Sequence, residues 1–380
     1  MKPRRDFLIV LSFSLVLLLG LVFVFSKVIV SKTDIDIEGE TIEERITSFE
    51  SSFNSLFSSN SLSLDLFSLT QRLLLKHETR SFEVLRANNG QLYLGSQSWL
   101  SEGITVEDVA EQILKIKDKV EEYGGHFIFC QVPYKTAEIV PELKYYADDT
   151  VYSEETALCD LLKEKGVDVL DLREQVDCSE YFKTDHHWTV TSAFNSSKHI
   201  VEKLGADYGF SFNADLSDSA NYSVASYDKS LLGSIGVKVG PFFAGKDDFI
   251  IWLPEFDTSL ELKHYNDLGN LSFSHDGRFE ETFINKQLLE DKTYFNKYNA
   301  LMYGAWCEAV IENRLAYNDA TALLVCHSYG RAMTPYLSLH FKELRYIDPQ
   351  KGRFNSGVIN YIEVHHPDYV FFAFNDIMVI

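Results

Sequence analysis

The sequence predicts an α/β protein: a three-layer α/β/α domain around a central, mainly parallel sheet. Two observations support this fold class. Apolar segments of strand length alternate with amphipathic helices from about residue 90 to 205, and the same rhythm returns from about residue 321. This alternation is typical of βα units whose sheet is covered by helices on both faces. Residues 206–320 interrupt the rhythm, and we expect them to form a mixed insertion over one edge of the sheet.

The N-terminus predicts a membrane anchor that precedes this domain. Three cations near the start are followed by an uncharged, apolar run over residues 7–26. About 20 helical residues span roughly 30 Å of hydrocarbon, and flanking cations favour the cytoplasmic side. We therefore expect a cytoplasmic tail at 1–6 and one transmembrane signal anchor at 7–30, with the main domain outside the cytoplasm. A cleaved signal peptide is the alternative, but its usual short apolar core and small-residue exit are missing.

A stem and a first βα unit follow the anchor. Residues 31–85 are rich in Ser, Glu and Leu and predict a helical stem, so that the folded domain spans 86–380. "QLYLGS" reads as a short strand. The segment "TVEDVAEQILKIKDKVEEYGG" predicts a helix that Thr105 caps and that Gly124 and Gly125 end.

The remaining elements repeat the pattern. "HFIFCQVP" and "VDVLDL" predict strands on either side of a helix at about 153–165, and a helix follows Trp188 with one apolar face. Beyond the insertion, the strands "TALLVCHS", "RYID" and "DYVFFAFND" alternate with the helices "RAMTPYLSLHFKEL" and "GVINYIEVHHP".

Composition excludes several kinds of protein. The chain has 380 residues, of which 46% are apolar, so it can bury a sizeable core. Its 56 acidic and 35 basic residues leave a formal charge of −21, which argues against general nucleic-acid binding. Five scattered cysteines form neither a disulfide scaffold nor a CxxC zinc pair.

Ser328 is a candidate nucleophile. It directly follows a predicted strand and precedes a helix, and ligands of open parallel sheets bind at the carboxyl ends of strands. Backbone N–H groups at such a turn, here from Tyr329 and Gly330, could hold an oxyanion. A serine that merely caps the helix is the competing interpretation.

The stretch "TDHHWT" supplies the groups that a serine nucleophile needs. Histidine can take the hydroxyl proton, and a carboxylate fixes its tautomer. In an extended loop, residues two apart point the same way, so Asp185 and His187 can act together while His186 points elsewhere. The competing structural interpretation is that Asp185 or Thr189 caps the next helix.

A metal site is a further alternative. Its ligands would come from the histidines and one carboxylate of the two halves of the chain: Asp185, His186, His187, His327, His365 and His366. Because no recognised metal-ligand spacing occurs, we expect a site with no metal and no cofactor.

Two further segments are candidates for a substrate rim near Ser328. Tyr134 and Lys135 follow a strand end, and Lys135 could bind an anionic sugar or polymer. Tyr303 and Gly304 stand before a segment that we expect to be helical, and their backbone could donate to an oxyanion.

Several of these motifs together resemble a known family. "YFKTDHHWT" at 181–189 resembles the signature of the DHHW proteins, which are similar to the SGNH-type O-acetyltransferase domains of exopolysaccharide biosynthesis, including the alginate acetylation enzymes. "LLVCHSYGRAMTPYL", "YNALMYGAWCEAVIEN", "FCQVPYKTAEIVPE" and "PDYVFFAF" are similar to further segments of that family. The resemblance covers about residues 90–380.

The resemblance implies an SGNH-like α/β/α fold and a role for each site residue. Ser328 would be the nucleophile, His187 the base and Asp185 the residue that orients it. One position departs from the family pattern: His327 stands where the family usually has Asp, and we expect it to modulate the site.

We therefore expect a membrane-anchored, extracytoplasmic serine enzyme that acts as an O-acetyltransferase or acetylesterase on a cell-surface or exported polysaccharide. Its partners would be a carbohydrate polymer, an acetyl donor and a membrane acyl-transfer protein. Two alternatives remain open at this point: a catalytically degenerate glycan-binding or assembly subunit, and a metal-dependent hydrolase that uses the histidine cluster.

Overall fold

The computed structural model describes residues 61–97, 100, 103–175, 180–290, 297–351, 354 and 357–374, with a few isolated positions before residue 61. The chain divides into two compact units, Met1–Leu66 and Phe67–Ile380, and the second unit contains the sheet and the candidate site.

The predicted tail and anchor, residues 1–30, lie outside the described residues apart from isolated positions. Within the described part of the chain, every helix is too short or too polar to cross a membrane. The anchor thus stays a prediction from the sequence.

The helices of the described residues are α1 (Ser61–Leu73), α2 (Val106–Glu122), α3 (Val151–Glu164), α4 (Val190–Tyr208), α5 (Ser234–Val239), α6 (Pro241–Ala244), α7 (Phe279–Phe283), α8 (Lys286–Glu290), α9 (Gly330–Leu337) and α10 (Val358–His365). The strands are β1 (Glu78–Thr79), β2 (Val84–Arg86), β3 (Leu92–Leu94), β4 (Ser96–Gln97), β5 (His126–Gln131), β6 (Asp148–Asp149), β7 (Asp168–Asp171), β8 (Tyr222–Leu231), β9 (Asp247–Pro254), β10 (Leu260–Tyr265), β11 (Leu271–Gly277), β12 (Glu308–Asn313), β13 (Thr321–Cys326), β14 (Glu343–Ile347) and β15 (Tyr369–Phe374).

An eight-stranded sheet forms the centre of the domain, in the order β11-β10-β12-β14-β13-β15-β5-β7. The five strands from β14 to β7 are parallel to one another, as the βα rhythm predicts. The other three, β12, β10 and β11, are antiparallel to their neighbours. The sheet is therefore mixed, with a parallel half that carries the candidate site.

Helices cover both faces of this sheet, because alternate side chains of each central strand enter different cores. In β13, Leu324 and Cys326 pack with α4 and α9 on one face. Leu323 and Val325 pack with α2, α3 and α10 on the other face. The resulting three layers agree with the predicted α/β/α architecture.

The two longest helices begin where the sequence indicates. Thr105 and Asp108 form a reciprocal capping box at the start of α2. Thr189 caps α4 through a hydrogen bond from the Ser192 N–H, so Asp185 is not needed as a cap. Gly209 ends α4 with a left-handed φ of 67°.

The insertion at 206–320 extends the sheet rather than simply covering its edge. The strands β10, β11 and β12 all come from it, and β8 and β9 form a separate antiparallel pair. The helix expected after Gly304 is wrong: residues 308–313 form β12, which pairs with β10 and β14 on its two sides. This six-residue segment is too short for an apolar pattern to distinguish a buried strand from a helix.

The predicted helical stem at 31–85 also needs correction at its end. Its described part includes α1, but β1 and β2 belong to a three-stranded sheet with β3. That sheet crosses the expected boundary at residue 86. Strands of two or three residues carry no periodic signal, which explains why the sequence does not predict them.

Candidate active site

Ser328 lies at the carboxyl edge of the parallel half of the sheet. β13 ends at Cys326 and α9 begins at Gly330, so the serine occupies the strand-to-helix turn that the sequence predicts. Ser328 is half-buried, whereas Asp185 and His187 are only 1% and 3% exposed. The serine hydroxyl is thus the group of this cluster that a substrate can reach.

A hydrogen-bond chain joins the three predicted residues. The Ser328 hydroxyl lies 2.7 Å from His187 Nε2. On the opposite side of the ring, His187 Nδ1 lies 2.5 Å from Asp185 Oδ1. When Nδ1–H donates its hydrogen bond to the carboxylate, Nε2 carries no proton. It can then accept the hydrogen bond of the serine hydroxyl. The structure therefore brings together Ser328, His187 and Asp185.

The DHHW loop is bent rather than extended. Asp185 Oδ1 also accepts the backbone N–H of His187 at 2.9 Å, which closes a turn of the Asx type. A bridge between Tyr181 and Trp188 closes the base of the loop. Sequence reasoning chose the same histidine, but it is this turn and not strand alternation that places His187 beside Asp185.

Lys135 binds the backbone of this loop, and its predicted role in substrate binding is wrong. It is 3% exposed, and its ammonium donates to three carbonyls of the loop, those of Phe182, Lys183 and Asp185, at 2.6, 3.0 and 3.0 Å. Three charge-assisted hydrogen bonds satisfy the ammonium, so it has no donor left for a sugar.

The insertion supports the loop from a second side. Asp247, the first residue of β9, accepts the backbone N–H groups of Lys183 and Thr184 at 2.6 and 2.8 Å. It also accepts the Thr184 hydroxyl at 2.6 Å. The insertion thereby fixes the backbone directly before Asp185.

The start of α5 approaches Asp185 itself. The Ser234 N–H donates to Asp185 Oδ2 at 2.6 Å, so both carboxylate oxygens have partners. A Cβ on Gly233 would lie 2.2 Å from the Asp185 Cβ, closer than any side chain tolerates. Gly233 is therefore required for this contact, and no motif in the sequence singles it out.

Trp188 links the loop to the turn that carries the serine. Its ring is fully buried, and its indole N–H donates to the carbonyl of Tyr329 at 3.2 Å. The Tyr329 hydroxyl in turn donates to the carbonyl of His186. Tyr329 is buried by these contacts, so its side chain joins the two halves of the site and does not reach substrate.

Gly330 has a packing role that replaces the predicted oxyanion role. Its N–H already donates to the carbonyl of His327 at 2.9 Å. A Cβ on Gly330 would lie 2.8 Å from the Tyr346 ring and 3.0 Å from the Cys326 Cβ. The glycine lets α9 start close against the sheet.

The other predicted rim residues have contacts away from the serine. Tyr303 stacks on His275 of β11 with 3.7 Å between ring centroids and donates to the carbonyl of Glu281. Gly304 adopts a left-handed φ of 107° in the turn that follows. Tyr134 donates to the side chain of Gln97 and packs against the core that α2 and α3 share.

The segment just before Tyr303 contains the residues that do reach the site. The ring of Tyr298 stacks on His187 at 4.2 Å. Arg331 Nη1 donates to the side-chain oxygen Oδ1 of Asn299 at 2.7 Å, and the guanidinium lies 5.1 Å from the centre of the Tyr298 ring. The sequence favours Tyr303 and Gly304 in this segment, whereas Tyr298 and Asn299 make the contacts with His187 and Arg331, and no motif marks them.

Burial decides the protonation of the two histidines in the loop. It lowers the pKa of His187, with Asp185 opposing and Arg331 adding to the effect. Burial and the neighbouring His187 lower the pKa of His186 to about 3. Burial alone would raise the pKa of Asp185, but the adjacent His187 outweighs it and holds that pKa well below its usual range. Near neutral pH the site therefore holds an anionic Asp185 and a neutral His187.

His327 is directed into the protein and leaves Ser328 accessible. It is 4% exposed, and its ring packs edge-on against Phe374 and Tyr329. Its carbonyl accepts the Tyr346 hydroxyl at 3.0 Å. The ring thus packs beside the turn that carries Ser328, and the modulating role expected for His327 stays a prediction.

Three of the residues considered for a metal do cluster. Asp185, His186 and His187 offer ligand atoms within 4.8 Å of one another. His186 Nδ1 lies 2.7 Å from the Ser234 hydroxyl, and the facing atoms of Asp185 and His187 are hydrogen-bonded together. Among the described residues, His327, His365 and His366 do not belong to this group.

Part of this chain matches a protein-family model. Residues 84–217 match the family model described as the SGNH hydrolase-like domain of the acetyltransferase AlgX. The predicted family resemblance is confirmed. The matched residues include Asp185 and His187, and Ser328 follows them in the chain.

Several solved structures share the fold of this chain. PatB1 of Bacillus cereus is 21% identical with a TM-score of 0.61, covering 77% of this chain and 95% of PatB1. The structure of PatB1 with a sulfonyl adduct is 19% identical with a TM-score of 0.59, covering 77% of this chain and 96% of PatB1. A DHHW family protein from Eubacterium siraeum is 17% identical with a TM-score of 0.55, covering 76% and 89%. No curated protein matches in sequence.

Proposed function

We propose that this protein is a serine acyl-transfer enzyme that moves an acetyl group to or from the hydroxyls of a polysaccharide. The observation that carries the proposal is the hydrogen-bond chain from the half-exposed Ser328 through His187 to the buried Asp185. The match of residues 84–217 to an acetyltransferase domain supports the choice of acyl group.

The first half of the reaction acylates the serine. Ser328 Oγ attacks the acetyl carbonyl carbon of the donor ester while its proton moves to His187 Nε2. Asp185 stabilises the imidazolium that forms. When the tetrahedral intermediate collapses, the bond to the donor oxygen breaks and that oxygen takes the proton from His187.

The second half reverses these steps with a new alcohol. A sugar hydroxyl attacks the acetyl-serine ester and gives its proton to His187, and the proton returns to Ser328 as the sugar ester leaves. Water in place of the sugar gives an esterase. The two activities therefore differ in the acceptor and not in the residues that move protons.

Two donors are assigned to the oxyanion. The first is the N–H of Ser328, for which the described residues provide no hydrogen-bond acceptor. The second is the Asn299 side-chain amide, whose oxygen Arg331 holds at 2.7 Å, leaving the NH₂ group as the free end. Arg331 is a positioning residue, because its Nε also donates to the Ser328 carbonyl at 3.4 Å.

We also propose that the main domain lies outside the cytoplasm. A single anchor at 7–30 would hold the enzyme on the extracytoplasmic side, where exported polymers and a membrane acyl-transfer partner are found. Protease treatment of intact cells tests this, because an extracytoplasmic domain is digested and a cytoplasmic one is protected.

Covalent labelling of the serine tests the chemistry. Incubation with an aryl acetate or a sulfonyl fluoride should add one acyl or sulfonyl group at Ser328, located by peptide mass spectrometry. The Ser328→Ala variant should lose labelling and at least about 10³-fold in turnover. Ser338→Ala is the matched control, since Ser338 is buried and lies at the other end of α9. Full turnover by Ser328→Ala would rule out the proposed reaction.

A further inference from the structure

A second cleft opens on the same edge of the sheet as Ser328. The N–H of Asp348, directly after β14, donates to the carbonyl of Cys307 at 2.9 Å, and Tyr265 at the end of β10 pairs with Glu308. These chain ends adjoin the end of β13, because Val325 pairs with Ile347. Two to three strand spacings separate the cleft from the serine turn, a distance of roughly 10–14 Å.

The cleft is large enough for a ligand of the size of a sugar ring. Its volume is about 570 Å³, and its wall includes the turn after β10, the segment before β12 and Lys351. Pockets of several hundred Å³ with an aromatic surface and a few polar groups are typical of small-ligand sites. None of its lining residues takes part in the proposed acyl transfer.

Trp306 gives the cleft a rigid aromatic surface. Its indole N–H donates to the carbonyl of Tyr303 at 3.2 Å. Phe273 and His264 pack against its ring with centroids 4.7 and 5.1 Å away, so the indole is held while remaining partly exposed. A fixed aromatic ring with a polar margin suits the face of a sugar, which presents C–H groups within a border of hydroxyls.

Charges of both signs surround this ring. Asp267 and Lys351 line the cleft, and no carboxylate of the described residues lies within the 4 Å of an ion pair to the Lys351 ammonium. Burial lowers the pKa of Lys351 and Arg331 adds to this effect, whereas Asp348 and Asp267 oppose it. Because Asp348 and Asp267 offset the charge of Lys351 without forming an ion pair, the cleft matches hydroxyls, whereas a site for an acidic group would need unopposed cations.

We propose that this cleft is an acceptor subsite that binds a neutral, hydroxyl-rich sugar residue of the polymer whose neighbouring residue is acylated at Ser328. This inference rests on the proposed function, since it assigns the acceptor to one side of the serine. It also explains how an acceptor chain competes with water, because binding remote from the reaction raises the local concentration of the attacking hydroxyl.

Calorimetric titration of Ser328→Ala protein tests the subsite without turnover. The probes are a hexasaccharide of a neutral hexose and one of a hexuronic acid. Adding Trp306→Ala should weaken binding of the neutral probe by at least about tenfold, and Trp306→Phe should retain most of it. Lys351→Met, a change at a partly exposed position, should weaken it by about three- to tenfold.

Tyr145→Ala is the matched control, because Tyr145 is an aromatic residue that is 83% exposed and lies outside the cleft. Thermal unfolding of each variant checks that it is folded. Equal affinity of the Trp306, Lys351 and Tyr145 variants would overturn the subsite, and so would a preference for the uronic acid probe. Aryl acetate turnover by the unchanged protein is recorded separately, so that a failure of the proposed function is distinguished from a failure of the subsite.

Discussion

At the residue scale, the site depends on His187 being neutral when substrate arrives. Burial lowers its pKa below the ordinary 6.5 of histidine, and Arg331 acts in the same direction. A neutral imidazole is the form that can accept the Ser328 proton. The enzyme should therefore remain active at a lower pH than an exposed histidine would allow.

This predicts the acidic limb of the pH profile. The kcat/KM for an aryl acetate should fall as the pH drops through the His187 pKa, with a midpoint below 6.5. Arg331→Met removes a nearby positive charge, so the midpoint should move to higher pH. Arg314 is a more exposed arginine that follows β12 and pairs with Glu261 and Asp276. Arg314→Met should therefore leave the midpoint in place. A midpoint above 6.5 in the unchanged protein would contradict this assignment.

Residue types predict the three residues that the structure brings together, but they do not predict the supports of these residues. Asp185, His187 and Ser328 can be chosen because their chemistry is distinctive and they lie in loops that precede helices. Lys135 was misassigned because a sequence does not show whether an ammonium faces water or three carbonyls. Asn299 and Gly233 were missed since their importance comes entirely from neighbours that are distant in the chain.

At the element scale, the loop at 181–189 is held by segments from three parts of the chain. Lys135 follows β5, Asp247 begins β9, and Gly233 precedes α5. Each support fixes the backbone or the carboxylate of Asp185. The orientation of His187 is therefore decided by packing between elements and not by the loop alone.

The variant Gly233→Ala should disturb that orientation. Its new Cβ would overlap Asp185, so the loop or α5 must shift, and a displacement near 1 Å can cost about 10²-fold in kcat. The control is Gly209→Ala, where a φ of +67° strains the backbone by about 1 kcal/mol but no atom lies within 4 Å of the added Cβ. Steady-state kinetics should separate them: the control loses stability only, and an active Gly233→Ala would show that the close contact is dispensable.

Element types were predicted better than their partners. The βα rhythm predicts all five parallel strands because each is a short segment next to a helix. Four of them are mainly buried, and β7 is only partly buried. The segment 308–313 was expected to be helical, and its strand form depends on pairing with β10 and β14. Pairing of this kind, between segments distant in the chain, leaves little trace in local sequence.

At the scale of the whole molecule, one buried acid makes stability depend on pH. Asp348 is 2% exposed, and burial raises its pKa from 3.8 to about 6. The folded state then holds the proton more tightly than the unfolded state. Its contribution to stability is therefore greatest below pH 4 and declines as the pH rises to about 6.

The variant Asp348→Asn should remove this dependence. It retains the side-chain oxygen that accepts the Gln350 N–H at 3.0 Å, but it carries no charge. The free energy of unfolding of the variant should exceed that of the unchanged protein by up to about 3 kcal/mol near pH 7.5. This gain should vanish near pH 4. Denaturant unfolding at several pH values measures this gain. The control is Asp257→Asn, because the Asp257 side chain is 91% exposed. A constant difference at every pH would contradict the assignment.

The separation of the supports along the chain has a consequence for biosynthesis. His187 and Ser328 are 141 residues apart, and Gly233 and Asp247 lie between them. A polypeptide is made from its N-terminus, so Lys135 and His187 are made first, Gly233 and Asp247 next and Ser328 after them. A chain that ends before residue 328 therefore lacks the proposed nucleophile, although it already contains the loop at 181–189 and all three of its supports.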